Sequence, residues 1–165
     1  MKNIFVGTSS SDNVDISYKK LAHNIGEFLS KTDYHLNLGG NETGLMKEIY
    51  DQFTKNNKNV DIIIENIFGN IENKNNKQID FYNKYDIFLF LPGGNGTLYE
   101  LLSSINYKII YKLNYKIIIY NFNGFYNKLL EYFEYLIKEK FNYENPFIVV
   151  NNIIELKKEM GKCLC

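Results

Sequence analysis

Short apolar runs punctuate the chain, at Ile4 to Val6, Leu36 to Leu38, Val60 to Ile64, Ile87 to Leu91, Ile117 to Tyr120 and Phe147 to Val150. Most are continuous rather than alternating, Asn37 and Asp61 being the interruptions, and turn residues bound them. Strands buried on both faces have this signature, so the runs predict a parallel sheet. Between them lie segments whose apolar residues fall on one helical face, such as Tyr18, Leu21, Ala22, Ile25 and Leu29, or Leu129, Leu130, Phe133, Leu136 and Ile137. Strands alternating with helices imply right-handed crossovers. The expected fold is therefore an α/β, Rossmann-like, doubly wound parallel sheet with helices on both faces, taking ligands at the C-terminal ends of its strands.

The stretch from Glu65 to Asn76 breaks the pattern and predicts an exposed loop able to close over a site, followed by an amphipathic segment from Lys77 to Lys84. Tyr143 to Pro146 predicts a second loop. There is no internal repeat and no linker, so residues 1–165 are expected to form a single domain.

Charge narrows the partners. Nineteen cations balance nineteen acids, which leaves no net field to draw in nucleic acid or an anionic membrane. Every cation is Lys, with no Arg in the chain, so a bound anion must be held by backbone amides, hydroxyls and ammonium groups rather than by a guanidinium fork. Cys163 and Cys165 sit at the extreme C-terminus, where they neither staple a core nor complete a metal site. The first residues read as a strand rather than a signal peptide, and no apolar run reaches the ~20 residues of a membrane helix. A soluble, cytoplasmic protein is expected.

Three strand ends carry turn chemistry beyond what a connection needs: Gly7-Thr8-Ser9-Ser10-Ser11-Asp12, Gly39-Gly40-Asn41-Glu42-Thr43-Gly44 and Pro92-Gly93-Gly94-Asn95-Gly96-Thr97. Each lies where a strand gives way to a helix, so each can aim unsatisfied N–H groups and a positive dipole end at an anion. In the third turn a helix opening at Gly96 would let Thr97 cap it or donate to a phosphate oxygen. Glu100 would then fall in the first helical turn, beside whatever the loop holds. The plain alternative is that Glu100 only complements the helix dipole. Lys77, at the start of its segment, is placed to reach over the pocket mouth, against the ordinary alternative of a solvated lysine. His23 and His35 share no metal-ligand spacing and are assigned structural or surface places. No nucleophile elbow, Walker lysine or Cys/His pair is present.

These residues resemble the Lonely guy family of cytokinin riboside 5′-monophosphate phosphoribohydrolases, often mislabelled lysine decarboxylases. Pro92 to Glu100 fits its P-G-G-x-G-T-x-x-E motif at every fixed position. Gly39 to Met46 resembles its G-G-G-x-x-G-L-M segment, with Asn41 replacing the third glycine. Ile4 to Ser9 is similar to its first strand and turn, and Asn121 to Tyr126 to its N-x-x-G-Y-Y stretch. The resemblance implies binding of a nucleoside 5′-monophosphate, AMP or a cytokinin-type nucleotide, and hydrolysis of its N-glycosidic bond to free base and ribose 5-phosphate. It implies no metal or other cofactor and a homodimer. It places the catalytic pair at Glu100 and Lys77, the latter where the family has arginine. It places substrate contacts at Gly7, Ser9, Gly39, Gly40, Thr43, Gly44, Met46, Gly93, Gly94, Asn95, Gly96 and Thr97. Two other outcomes remain open: a nucleotide-binding sensor or carrier without turnover, or ribosyl transfer to another base. Lysine decarboxylation is disfavoured because no Schiff-base lysine accompanies the Gly-rich turns.

Overall fold

The computed structural model describes residues 2–39, 43–55, 60–63 and 74–161. The strands are β1 (Lys2–Gly7), β2 (Tyr34–Gly39), β3 (Val60–Ile63), β4 (Ile87–Phe90), β5 (Lys116–Tyr120) and β6 (Ile148–Val150), and every observed pairing is parallel. They are ordered β3-β2-β1-β4-β5-β6. The helices are α1 (Ile16–Ser30), α2 (Gly44–Thr54), α3 (Lys74–Asn83), α4 (Asn95–Tyr111), α5 (Asn127–Lys138) and α6 (Ile153–Gly161). The α/β doubly wound architecture read from the apolar runs is the observed one.

The two-residue period of the strands sorts the core into two layers. Ile4, Val6, Leu36, Leu38, Ile87, Leu89, Ile118 and Tyr120 pack with α1, α2 and α6 through Leu21, Ile25, Leu29, Leu45, Ile49, Phe53 and Leu156. Phe5, Phe88, Phe90, Ile117 and Ile119 pack with α3, α4 and α5 through Tyr82, Leu101, Ile105 and Phe133. This second layer is strongly aromatic. Phe5 alone meets Phe81, Tyr85, Phe88 and Phe90 at 5.4–6.4 Å between ring centres.

The strand order reverses between β1 and β4, and the chain therefore leaves these neighbouring strands toward opposite faces of the sheet. A crevice opens beyond their C-terminal ends at this switch point. Element boundaries differ from the sequence reading at two places. Helix α3 begins at Lys74, three residues before Lys77, and residues 65–73 of the expected loop lie outside the described residues, as do Ile64 of the third apolar run, Gly40, Asn41, Cys163 and Cys165. Helix α4 begins at Asn95 with Gly94 as its N-cap, rather than opening at Gly96. Tyr143 to Pro146 is irregular and exposed Tyr143 stands at its start, as the loop reading expected.

Candidate active site

The three turns meet at the switch point and are tied to one another. Leu91 N–H donates to the Gly7 carbonyl at 3.0 Å, and the buried Thr8 Oγ1 donates to the Pro92 carbonyl at 2.9 Å, joining the first turn to the third. Leu45 N–H donates to the Ser9 carbonyl at 3.0 Å, and Gly44 N–H to Asp12 Oδ1 at 3.0 Å, joining the first to the second. Gly44 has φ of +59°, the left-handed region that a side chain disfavours, and a β-carbon there would collide with the backbone of Ser10 and Ser11.

These bonds decide which helix N-terminus is open to an anion. Helix α1 is capped by Asp15, whose carboxylate accepts from Ser17 N–H at 2.8 Å and from Ser17 Oγ at 2.6 Å; the hydroxyl bond first, and then the amide bond, holds its pKa down. Helix α2 has Thr43 as its N-cap without a side-chain bond, but its first two amides are taken by Asp12 and the Ser9 carbonyl. The Asp12 carboxylate thus sits where an anion would. Helix α4 alone of these three has neither device: its N-cap is Gly94, no side chain caps it, and Gly94, Asn95 and Gly96 are exposed. Its first-turn amides and dipole face the crevice.

Thr97 does not cap the helix. It is buried at the third helical position, and its hydroxyl packs against Gly93, where a β-carbon would overlap it. Glu100 stands in the second turn of α4, not the first, and no acid occupies the first turn. Dipole complementarity falls off within one turn, so it does not account for Glu100. The carboxylate instead lies across the ends of β1 and β2. A β-carbon built on Gly39 would come within 2.5 Å of Glu100 Oε1, and one built on Gly7 within 2.8 Å of Oε2. Both glycines are the space in which the acid is seated.

On the other side of Gly93 and Gly94 is a cleft of about 200 Å³ lined by Ser9, Val14, Tyr18, Leu45, Pro92 and Phe125 besides the two glycines. Tyr18 meets Phe122 and Phe125 edge-on at 5.7 and 6.0 Å. The glycine turn is therefore flanked by a carboxylate on the α4 side and an aromatic wall on the α1 side.

Beneath the turn lies Tyr126. It is buried, its Oη donates to the Leu91 carbonyl at 2.7 Å, and its N–H donates to Asn121 Oδ1 at 2.8 Å. Burial, and secondarily the negative charge of Glu100, push its phenol well above the ordinary tyrosine range, so it stays neutral.

Of the residues singled out from the sequence, Gly7, Ser9, Gly39, Gly93, Gly94, Asn95, Gly96, Thr97 and Glu100 come together at this point. Thr43 and Gly44 adjoin it, but Gly44 serves Asp12. Met46 is buried within α2. Lys77 belongs to α3, which runs antiparallel to the strands on the layer that also holds Glu100; its first turns stand at the C-terminal edge of the sheet. His23 and His35 pair at the surface with Glu48 and Asp61 at 2.8 and 3.0 Å. Sequence reasoning missed Asp12, Tyr18, Phe125 and Tyr126. The last two lie in the N-x-x-G-Y-Y-like stretch, which was a signal of their importance without a role.

Comparison with known proteins extends this picture. A family model described as possible lysine decarboxylase matches residues 30–160. Cytokinin riboside 5′-monophosphate phosphoribohydrolase LOG1 of Arabidopsis thaliana is 28% identical over 151 residues, covering 84% of this chain and 70% of the relative. The probable phosphoribohydrolase LOGL6 of Oryza sativa subsp. japonica is 26% identical, covering 85% and 61%. Among solved structures, the molybdenum cofactor binding protein of Rippkaea orientalis superposes with a TM-score of 0.67 at 13% identity, covering 100% of this chain and 99% of that one. The molybdenum cofactor carrier protein of Chlamydomonas reinhardtii gives 0.65 at 14%, covering 99% and 98%. At these identities the structural likeness is one of fold.

Proposed function

We propose, from the premise that this chain belongs to the possible lysine decarboxylase family whose curated relatives are Lonely guy phosphoribohydrolases, that it hydrolyses the N-glycosidic bond of a nucleoside 5′-monophosphate. The observation that carries the reading is the seating of Glu100 against Gly7 and Gly39, next to the one uncapped helix N-terminus of the three strand-end turns. The phosphate rests on the amides at the start of α4, between Gly94 and Thr97. The ribose then lies over the ends of β1 and β2, within reach of the carboxylate.

Cleavage of such a bond passes through an oxocarbenium-like state with positive charge on the anomeric carbon and ring oxygen. A carboxylate fixed beside that charge stabilises it, and can take a proton from the attacking water. Water oxygen bonds to the anomeric carbon, the bonding pair of the glycosidic bond leaves with the base nitrogen, and the proton given up by the water is balanced by the one the base takes up. The products are free base and ribose 5-phosphate. Lys77, which stands where the resemblance places the family's arginine, is the residue assigned to balance the phosphate charge.

The test is to incubate the purified protein with AMP and cytokinin-type nucleotides and measure ribose 5-phosphate. Glu100→Gln is expected to lower kcat by about 10²- to 10⁴-fold, the usual worth of a general base, with little change in Tm. An unaltered rate in that variant would refute the assignment. A second reading, binding without turnover, draws on Lys77 in place of arginine. Tight AMP binding with no product would favour it, and turnover gained by Lys77→Arg would mark a weakened enzyme.

A homodimer is part of the proposal. Helix α4 carries exposed Tyr99, Leu102, Ile109 and Ile110, an apolar surface that a second copy would cover. Light scattering that returns the 19.4 kDa monomer mass at micromolar concentration would remove this part.

A further inference from the structure

The peptide links leading into α4 are held in an unusual way. Proline has no N–H, so the Leu91–Pro92 peptide can be oriented only through its carbonyl. That carbonyl accepts the Tyr126 hydroxyl at 2.7 Å. The next carbonyl, of Pro92, accepts the Thr8 hydroxyl at 2.9 Å. Two consecutive peptide planes are thus fixed by two side-chain hydroxyls, one from the turn after β1 and one from the loop after β5. Thr8 and Tyr126 are both buried, at 3% and 2% exposure, so water does not compete for either bond.

A planar trans peptide points its N–H opposite to its carbonyl. Holding the Pro92 carbonyl on Thr8 therefore turns the Gly93 N–H away from Thr8, on the half-exposed residue that lines the cleft. Tyr126 is itself anchored rather than hinged. Asn121 accepts from its N–H, donates from Nδ2 to Asn127 Oδ1 at 2.8 Å, and donates from its own N–H to the Val150 carbonyl at 2.7 Å.

We infer that Thr8 and Tyr126 are positioning residues that aim the Gly93 amide at the phosphoryl group, adding a donor to those of the α4 N-terminus. The inference rests on the phosphate placement proposed above and adds two residues that neither the motif nor the glycines name. Neither residue is required to touch substrate. Each acts through the carbonyl it holds. The ring that carries the Tyr126 hydroxyl is packed edge-on against Phe125 at 4.9 Å, which keeps the donor in place as the cleft fills.

The test compares Tyr126→Phe, Thr8→Val and Thr8→Ser with the wild type by calorimetric titration with AMP, ribose 5-phosphate and adenosine. The Phe and Val variants are expected to lose about tenfold in affinity for the two phosphate esters, while adenosine binding stays constant and Thr8→Ser, which keeps the hydroxyl, binds as wild type. A purely structural role would lower Tm and weaken all three ligands together. That result, or unchanged ribose 5-phosphate affinity, would overturn the inference. If Tyr126→Phe does not fold, Thr8→Val decides. The Gly93 amide ¹⁵N resonance of the wild type, titrated with inorganic phosphate, gives an independent reading: it must shift, and an unmoved resonance overturns the inference as well. A wild type that binds ribose 5-phosphate yet releases no base from AMP refutes hydrolysis and leaves the positioning role standing. One that binds no phosphate ester refutes both.

Discussion

The turns after β2 and β4 look alike on paper, each glycine-rich and each opening a helix, yet they end in opposite states. The start of α2 is closed: Asp12 and the Ser9 carbonyl take the amides of Gly44 and Leu45. The start of α4 is open, with a glycine N-cap and no capping side chain. A helix N-terminus is an anion site only until the chain fills it with its own acid. The β2 turn then contributes something else, namely the bare Cα of Gly39 against which Glu100 lies.

The strongest way to break this contrast is Gly39→Ala. The new methyl would fall 2.5 Å from the carboxylate and 2.6 Å from Phe5 Cζ, so one of them must move. A displacement of about 1 Å at a reacting group costs about 10²-fold in rate. The variant is expected to fold, with a stability loss of about 1–3 kcal/mol from overpacking, and to lose turnover far more than AMP affinity. Equal rates would show that Glu100 is not seated there during reaction.

Converting the open turn into the closed kind is next in size. Gly94 has φ of −87°, and a β-carbon on it meets nothing within 4 Å, so Gly94→Asp places a carboxylate at the N-cap of α4 without strain. AMP affinity should fall by about tenfold or more, while the added cap raises stability by up to about 1 kcal/mol. Undiminished AMP binding in isothermal titration would mean that the anion rests elsewhere.

Opening the closed turn is the reciprocal change. Asp12→Ala frees Gly44 N–H and should cost about 1 kcal/mol, or about 2–4 °C in Tm for a chain of this size, with AMP affinity unchanged. Loss of AMP binding in that variant would bring α2 into the site and erase the distinction.

The smallest effect concerns alkaline pH. Burial raises the phenols of Tyr126 and Tyr115, and each hydroxyl donates to a backbone carbonyl, Leu91 and Ser104 respectively. A group whose folded pKa lies above its unfolded value stabilises the fold fully below the unfolded value. Above about pH 10 that stabilisation declines. Thermal melts should therefore show Tm falling from about pH 10 upward, with a shallower fall in Tyr115→Phe.

Legibility followed the range of the interactions. Four of the strands were readable because burial on both faces writes an unbroken apolar run, β2 and β3 as short apolar runs interrupted by Asn37 and Asp61, and α1 and α5 because their faces repeat at helical spacing. The glycine turns announced a site, since a chain of alternating strands and helices gathers such turns at one edge. Glu100 is found by its motif, but it stands in the second helical turn, as the sixth residue of a helix that opens at Asn95 and already the fifth of one opening at Gly96. Thr97, the third residue of the helix and buried, lies too far in to cap it. The roles of Asp12, Tyr126 and Phe125 were not legible, although the last two lie in a family-like stretch: each acts on a residue at least 32 positions away, or lines a cleft made by several elements.

The amino-acid order by itself determined the parallel α/β fold, the chemistry of the turns and the absence of any guanidinium group. Those are consequences of local periodicity and residue type. Tertiary structure decided which helix N-terminus is occupied by the chain's own carboxylate, which glycines seat Glu100, and which hydroxyls hold the carbonyls before α4. These depend on groups distant in sequence meeting within hydrogen-bond reach, a condition that only the assembled sheet imposes.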